Sequence, residues 1–451
     1  MRYNHYIWYI WSLALALGLG ACSQYEEMPS GGNYASTAMT QEEKDVSNIL
    51  RSSQHGWSLV LIPDEGNHGG INLSMKFTSD KDVVVASEEY GETVTVPNDP
   101  KNPGAGTKQI YQTEFTSNYH FSHNSGLRLT FDTFSRPLHY YSNPNWGLPN
   151  GYNGDFEFIV EKVSEDKNVI YLKGCRTGNK MQLTRLKANY ATYLSKTQEI
   201  KGVLKGKALS PLQLGGKEVS ISIFGYARQL WVRYTKAEDK TTKAVKENIP
   251  FYYTDKGIKL ITPLEIGGQK FEGFELSEDK RTVKTLDGKQ TLTVFSGTYD
   301  LTEGSLRASF EEDKSNSEAH EMFKTLVEIQ KQDSYPALFW FMADMGRWGR
   351  SRLPQVTLYA YPDPNPNNKT FYRTYYLDYT SVYGQPNQVH ITRIIQDGDG
   401  YFYSRRAIEW YLENILYYSP FSIDPIPNKT VKRMSSVADP TNEPFYFEVD
   451  I

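Results

Sequence analysis

The chemistry this sequence could perform rests on a few short constellations. "HEMFK", His320–Lys324, begins like a helical zinc motif, in which a second histidine four residues on turns both imidazoles toward one metal. Lys324 stands at that place, and its ammonium repels a cation. "DGDGY", Asp397–Tyr401, alternates two carboxylates like the opening of a calcium loop, but the further acidic ligands and the distal glutamate are missing. It reads as a hairpin turn. Asp155 and Glu157 are two apart, which on a strand places both carboxylates on one face, the raw material of a glycosidase pair. No Gly-x-Ser-x-Gly elbow or phosphate-binding glycine loop occurs in a suitable context. The sequence therefore assigns no catalytic residue, no metal ligand and no cofactor.

Contact chemistry is better represented. "LHYYSNPNWGLPNGYNGD", Leu138 to Asp155, sets His139, Tyr140, Tyr141, Trp146 and Tyr152 among Asn143, Asn145, prolines and glycines. Aromatic faces beside amides suit sugar rings, whose C–H faces stack while their hydroxyls take hydrogen bonds, and loops at barrel mouths commonly bind. These seven residues are the candidate ligand or partner contacts. The competing reading makes the same rings a plug over the end of a barrel. A second aromatic run, "FWFMADMGRWGR" at 339–350, reads as core or interdomain packing.

The elements that must position these residues are mostly strands. A first helix is marked by Thr40 as cap, Glu43 as its capping-box partner and Gly56 as terminator. Short strands follow, joined by Gly, Asn and Asp turns, from Trp57–Ile62 through Ile71–Phe77 to Met181–Leu186. In "INLSMKF", Ile71, Leu73, Met75 and Phe77 alternate with polar residues, predicting one buried and one wet face. Asn189 to Ile200 reads as a linking helix. A second meander runs through Val219–Phe224 to Thr291–Phe295, followed by helices at Glu318–Gln332 and Arg405–Tyr418 and a last strand at Phe445–Val449. The expected fold is mainly β: two antiparallel β-barrel or sandwich (calycin-like) domains with a few flanking helices.

The expected layout has residues 1–21 as a signal peptide and 22–39 as a flexible tether. An N-terminal helix and β-barrel occupy 40–188, a linker helix 189–208, and a β-rich C-terminal domain with two helices 209–451.

Composition narrows the function. The formal net charge is -4, with 49 Lys and Arg against 53 Asp and Glu, and no basic patch forms, which argues against nucleic acid. There are 2 cysteines, Cys22 and Cys175, so committing Cys22 to lipid leaves Cys175 as a free thiol. The 33 tyrosines suit strands and contact surfaces alike.

The N-terminus supplies an address. An apolar run from Ile7 to Leu19, roughly 13 residues, is too short to span a bilayer and suits a secretory signal. Leu19-Gly20-Ala21-Cys22 resembles the lipobox of bacterial lipoproteins, which implies lipidation of Cys22 and a membrane anchor. Ser23-Gln24-Tyr25-Glu26-Glu27 resembles the acidic signal that exports Bacteroidota lipoproteins to the outer face of the outer membrane.

Five stretches carry a wider resemblance: "HGWSLVLIP", "GGINLSMKF", "GLRLTFDTFSRPLHYYSNP", "GDFEFIVEKV" and "FYYTDKGIKLITPLEIGGQKFEGFEL". Together they resemble an uncharacterised Bacteroidota lipoprotein family known as a domain of unknown function. The resemblance spans roughly Gln41 to Ile451 and is dense before residue 290. That family is associated with outer-membrane uptake systems of the starch-utilisation type, built from a TonB-dependent transporter and a substrate-binding lipoprotein. The resemblance implies capture of a nutrient, a glycan or a peptide, by binding rather than catalysis, and it supplies no catalytic residues. The alternatives are a hydrolase with its site in a barrel mouth and a docking subunit of the transporter with no ligand of its own.

Overall fold

The computed structural model describes residues 40–450 apart from 64–67, 90–91, 98–106, 124–125, 145–150, 152, 236–243, 300–304, 310–314, 316, 333–339, 347–354, 362–370, 394–409, 411–412, 415 and 438–444. The signal, Cys22, the tether and "DGDGY" lie outside the described residues.

Helix α1, Gln41–Arg51, opens with the expected capping box: Glu43 N–H donates to Thr40 Oγ1 at 3.2 Å, and Thr40 N–H to Glu43 Oε2 at 2.5 Å. The helix ends before Gly56. That glycine instead turns the chain into the first strand at φ +85°, with Met75 O only 2.8 Å from where a Cβ would sit.

The first barrel is a closed antiparallel sheet of eight strands, sealed where Trp57–Leu61 pairs with Lys180–Arg185. Its inward side chains, Trp57, Leu59, Leu73, Met75, Phe131, Phe158 and Leu183 among them, form one core. The indole N–H of Trp57 donates to Leu50 O at 2.8 Å, and the Arg185 guanidinium lies 4.6 Å from its ring centre. A two-stranded hairpin, Glu92–Pro97 with Thr107–Gln112, is inserted after the strand Asp82–Ser87. One expectation changes here. The outer face of "INLSMKF" is dry, with Asn72 and Ser74 fully buried, because helix and second-barrel residues cover it.

Helix α2, Arg136–His139, is a single turn inside the stretch read as loop. Helix α3, Tyr190–Leu204, is the expected linker; Asn189 Oδ1 accepts from Ala191 N at 2.8 Å and caps it. The second barrel is an eight-stranded meander from Ala208–Leu214 to Thr291–Phe295, closed where Ala208 faces Phe295. Its core holds Leu209, Val219, Ile221, Phe251, Phe271 and Phe274.

The region read as one C-terminal domain, 209–451, contains two closed sheets rather than one. After the second barrel, eight strands from Ser305–Ser309 to Tyr446–Asp450 close into a third barrel, with helix α4, Ser317–Gln332, set between its first two strands. The closing pair, Arg307 with Asp450, joins residues at the two ends of the region, a contact that no local pattern announces. The run at 339–350 contributes the strand Trp340–Gly346. Of the predicted helix at 405–418, the described residues Trp410, Glu413, Asn414, Leu416 and Tyr417 are helical.

Candidate functional site

The predicted contact loop packs over the first barrel. His139 is buried: Ser135 N–H donates to its Nδ1 at 3.0 Å, which leaves Nε2 as donor to Phe131 O at 3.2 Å. Burial pushes its pKa down, so it is a neutral packing ring, stacked on Phe156 at 4.9 Å. Tyr141 belongs to the barrel core, and half-buried Tyr140 sits edge-on to it at 5.3 Å. Asn143 is exposed; Asn145, Trp146 and Tyr152 fall outside the described residues. His139 and Tyr141 therefore do the work of a plug.

The carboxylate pair is also separated by its partners. Buried Asp155 precedes the strand Glu157–Val163 and accepts the N–H groups of Arg176 at 2.7 Å and Thr177 at 3.3 Å, together with the Thr177 hydroxyl. Glu157 faces Arg128 at 3.6 Å. In "HEMFK", Lys324 pairs with Glu321 at 2.6 Å on helix α4.

The densest chemistry lies where the first barrel, helix α3 and the second barrel meet. Arg228, in the turn after the strand Lys217–Phe224, is fully buried. Its guanidinium donates to Gly70 O at 2.6 Å and pairs with Glu88 and Glu89, while Lys201 of α3 pairs with Glu89. Asn72 ties the cluster to both barrels: its N–H donates to Glu88 Oε1 at 2.7 Å, its Nδ2 donates to Tyr253 O at 2.7 Å, and Tyr193 donates to its Oδ1 at 2.9 Å. Buried Glu88 Oε2 and Arg228 Nε have no hydrogen-bond partner among the described residues.

Two glycines make this approach possible. A Cβ on Gly69 would lie 2.1 Å from Phe251 O, and one on Gly70 2.4 Å from Val60 Cγ1. In their absence, Gly69 N–H reaches Ala227 O and Gly70 N–H reaches Phe251 O, both at 2.9 Å.

Electrostatics follow from pairing in a dry place. Burial works against Glu89, yet Lys201 and Arg228 hold its carboxyl at about 2. Burial, then the Arg228 charge, pushes His68 down to about 4. Burial also lowers the Lys201 ammonium, although Glu89 holds it up. Arg228 stays charged, because Glu88 and Glu89 outweigh its desolvation. The groups are mutually neutralised and rigid, which is framework chemistry rather than that of an acid or base poised for transfer.

Tyr193, which donates to Asn72 of that framework, also lines an open groove of about 350 Å³, within the size range of ligand sites. Its base is the outer face of two paired strands, where Ser58 faces Thr184 with Val60 and Gln182 alongside. Thr192, Tyr193 and Lys196 line one wall from α3, and Tyr252, Thr254 and Asp255 line the other from a second-barrel hairpin. Hydroxyls, an amide and tyrosine rings converge there, which is the chemistry sought in the sequence at 138–155. A second cleft, about 500 Å³, opens in the wall of the second barrel, where Gln269–Gly273 runs past its partner strand. Gln290 spans it by accepting from Gln213 N–H at 2.9 Å and donating to Gln213 O at 2.7 Å.

Sequence reasoning missed the groove because its residues come from 58–60, 182–196 and 252–255, distant segments with no shared motif. The only local sign was the double glycine in "GGINLSMKF".

Comparison with curated proteins finds no match. Among solved structures, the chain is similar to a DnaN sliding clamp (DNA polymerase III subunit beta) from Pseudomonas aeruginosa bound to griselimycin. The identity is 9%, over 91% of this chain and 95% of that chain, with a TM-score of 0.12, a likeness too low to bear on fold or function. Residues 33–278 match the family described as "Domain of unknown function (DUF4302)", a segment that contains the first barrel, α3, most of the second barrel and every residue lining the groove. With more than half its length so matched, this chain is a member of the DUF4302 family.

Proposed function

We propose that this protein is a lipid-anchored accessory of an outer-membrane uptake system that captures a nutrient glycan by binding in the groove between its first two barrels. The observation that carries the reading is the groove itself: an open cleft of about 350 Å³ lined by Gln182, Thr184, Tyr252 and Asp255, set on the outer face of two hydrogen-bonded strands. A preformed site loses little ordering entropy on binding, and hydroxyl, amide and aromatic side chains match a sugar's two kinds of surface. In this reading Cys22 holds the chain on the membrane, Glu26 and Glu27 direct it to the outer face, and a TonB-dependent transporter with its substrate-binding lipoprotein takes the ligand onward.

The direct test is calorimetry of the mature chain against a panel of oligosaccharides. Tyr252→Ala and Gln182→Ala should weaken binding while the melting temperature holds, and a panel without any binder would sink the proposal. The anchor is tested separately: Cys22→Ala should move the protein from the membrane to the soluble fraction.

A further inference from the structure

The charges around this groove are one-sided. Lys187 and Lys196 line it, against Asp255 as the one carboxylate among its lining residues; Arg185 also borders it, but its guanidinium lies over inward-facing Trp57, on the other face of the sheet. The chain as a whole carries net charge -4, so this local excess of cations runs against the background.

The three cations are placed by different means. Arg185 ends the strand Lys180–Arg185, lies over Trp57, and is pinned by donating from Nη2 to Ser52 Oγ at 3.0 Å and Lys167 O at 3.2 Å. Lys187 follows two residues on and is exposed. Lys196 is exposed one helical turn after Thr192, so residues spaced i, i+4 present a hydroxyl and an ammonium on one face of α3. Among the described residues no carboxylate lies within ion-pair distance of Lys187 or Lys196. On the opposite wall, Asp255 offers carboxylate oxygens to hydroxyl groups, while Thr254 Oγ1 already accepts the N–H groups of Lys256 and Gly257.

From this we infer that the groove selects an anionic sugar, one carrying a carboxylate or sulfate that Lys187 and Lys196 grip while Tyr252 and Asp255 hold the ring. The inference rests on the binding reading above and specifies its substrate class. Two ammoniums on the rim, facing one carboxylate, raise the potential of the cleft. Charge-assisted hydrogen bonds are about twice as strong as neutral ones, so discrimination against a neutral sugar should reach about tenfold or more.

The experiment titrates the full mature chain with three ligands of equal length: an oligogalacturonate, a sulfated oligosaccharide and a neutral galacto-oligosaccharide. Polyglutamate serves as a charged control without sugar. Expected is tighter binding of one or both anionic sugars, weakened about tenfold by Lys187→Gln with Lys196→Gln and reduced by 0.5 M salt, with polyglutamate weak. Which anionic ligand wins identifies the acid group. Equal affinity for the neutral sugar overturns the charge selection and leaves the capture reading standing. Anionic binding that ignores both lysine variants, or polyglutamate binding as tightly as the sugars, also overturns it. No binding by any sugar removes the capture reading itself, and this inference with it.

Discussion

The second barrel is joined to its two neighbours in opposite ways, and both joints use one turn, Gly225–Arg228. Toward the first barrel, Arg228 meets two glutamates and a lysine follows, so opposite charges neutralise one another in a buried place. Toward the third barrel, Asp378 accepts the N–H groups of Tyr226 at 2.6 Å, Ala227 at 2.7 Å and Tyr379 at 2.9 Å. No cation pairs with it among the described residues. Ser222 donates to Ser381 O at 3.0 Å, and Trp231 packs 4.2 Å from His390. Burial therefore pushes the Asp378 carboxyl up to about 7 despite its three donors. A buried carboxylate keeps its charge beside a fixed cation, while peptide dipoles alone leave it near neutrality. The groove opens beside the first joint, to which Tyr193 ties it through Asn72.

Breaking that contrast should have its largest effect at Arg228. Arg228→Met strands Glu88 and leaves Glu89 with Lys201 alone, and removing one partner of a buried pair costs about 3–5 kcal/mol. Chemical denaturation of the mature chain should show this loss, with Glu88→Gln added to the variant recovering part of it. A change below 1 kcal/mol would mean the ion pairs are not what joins the barrels.

Next comes Asp378→Ala, which leaves three main-chain donors without their acceptor at about 1–3 kcal/mol for each group that stays dry. Limited proteolysis should then cut between the second and third barrels before it cuts elsewhere.

Steric tolerance separates two glycines. Gly69→Ala drives a Cβ into Phe251 O and should destabilise the first joint strongly. Gly268→Ala, at φ +73° with open space around it, should cost only the left-handed backbone strain of about 1–2 kcal/mol. Thermal melts of the pair decide this, and equal losses would contradict the close approach at Gly69.

The variable that sharpens the comparison most is pH. His68 falls from 6.5 to about 4 on folding and Glu89 from 4.5 to about 2, so the unfolded chain binds protons more readily at both groups. Their stabilisation is complete above their ordinary values and is lost as pH falls through about 4 and then about 2. Asp378 rises from 3.8 to about 7, so its contribution is present in acid and is lost as pH rises through about 7. Hydrogen exchange, corrected for intrinsic rates, should show peptides at 68–72 loosening toward pH 4 and those at 378–381 loosening toward pH 8. Both moving in the same direction would remove the distinction between the joints.

Much of the molecule was legible from local pattern. The capping box at Thr40 and Glu43 and the inward residues of "INLSMKF" follow from spacing and hydrophobicity, which act between near neighbours in the chain. The outer face of that same strand was not legible: Asn72 and Ser74 look solvated until α3 and the second barrel cover them. Nor were His139 and Tyr141, where one composition suits either a contact loop or a plug, and only the position of the barrel end chooses between them.

Sequence by itself determined an antiparallel β architecture of meanders and the linking helix α3, because strand alternation, turn residues and caps are written within a few neighbouring residues. Tertiary structure alone decided that the last third closes into its own barrel and that Arg228 lies against Glu88 and Glu89. It also decided that residues from 58, 185, 196 and 252 share one groove. Such contacts join segments far apart in the chain, more than a hundred residues for Arg228 with Glu88 and Glu89, and their free energy comes from burial and charge pairing that exist only once the barrels have closed and met.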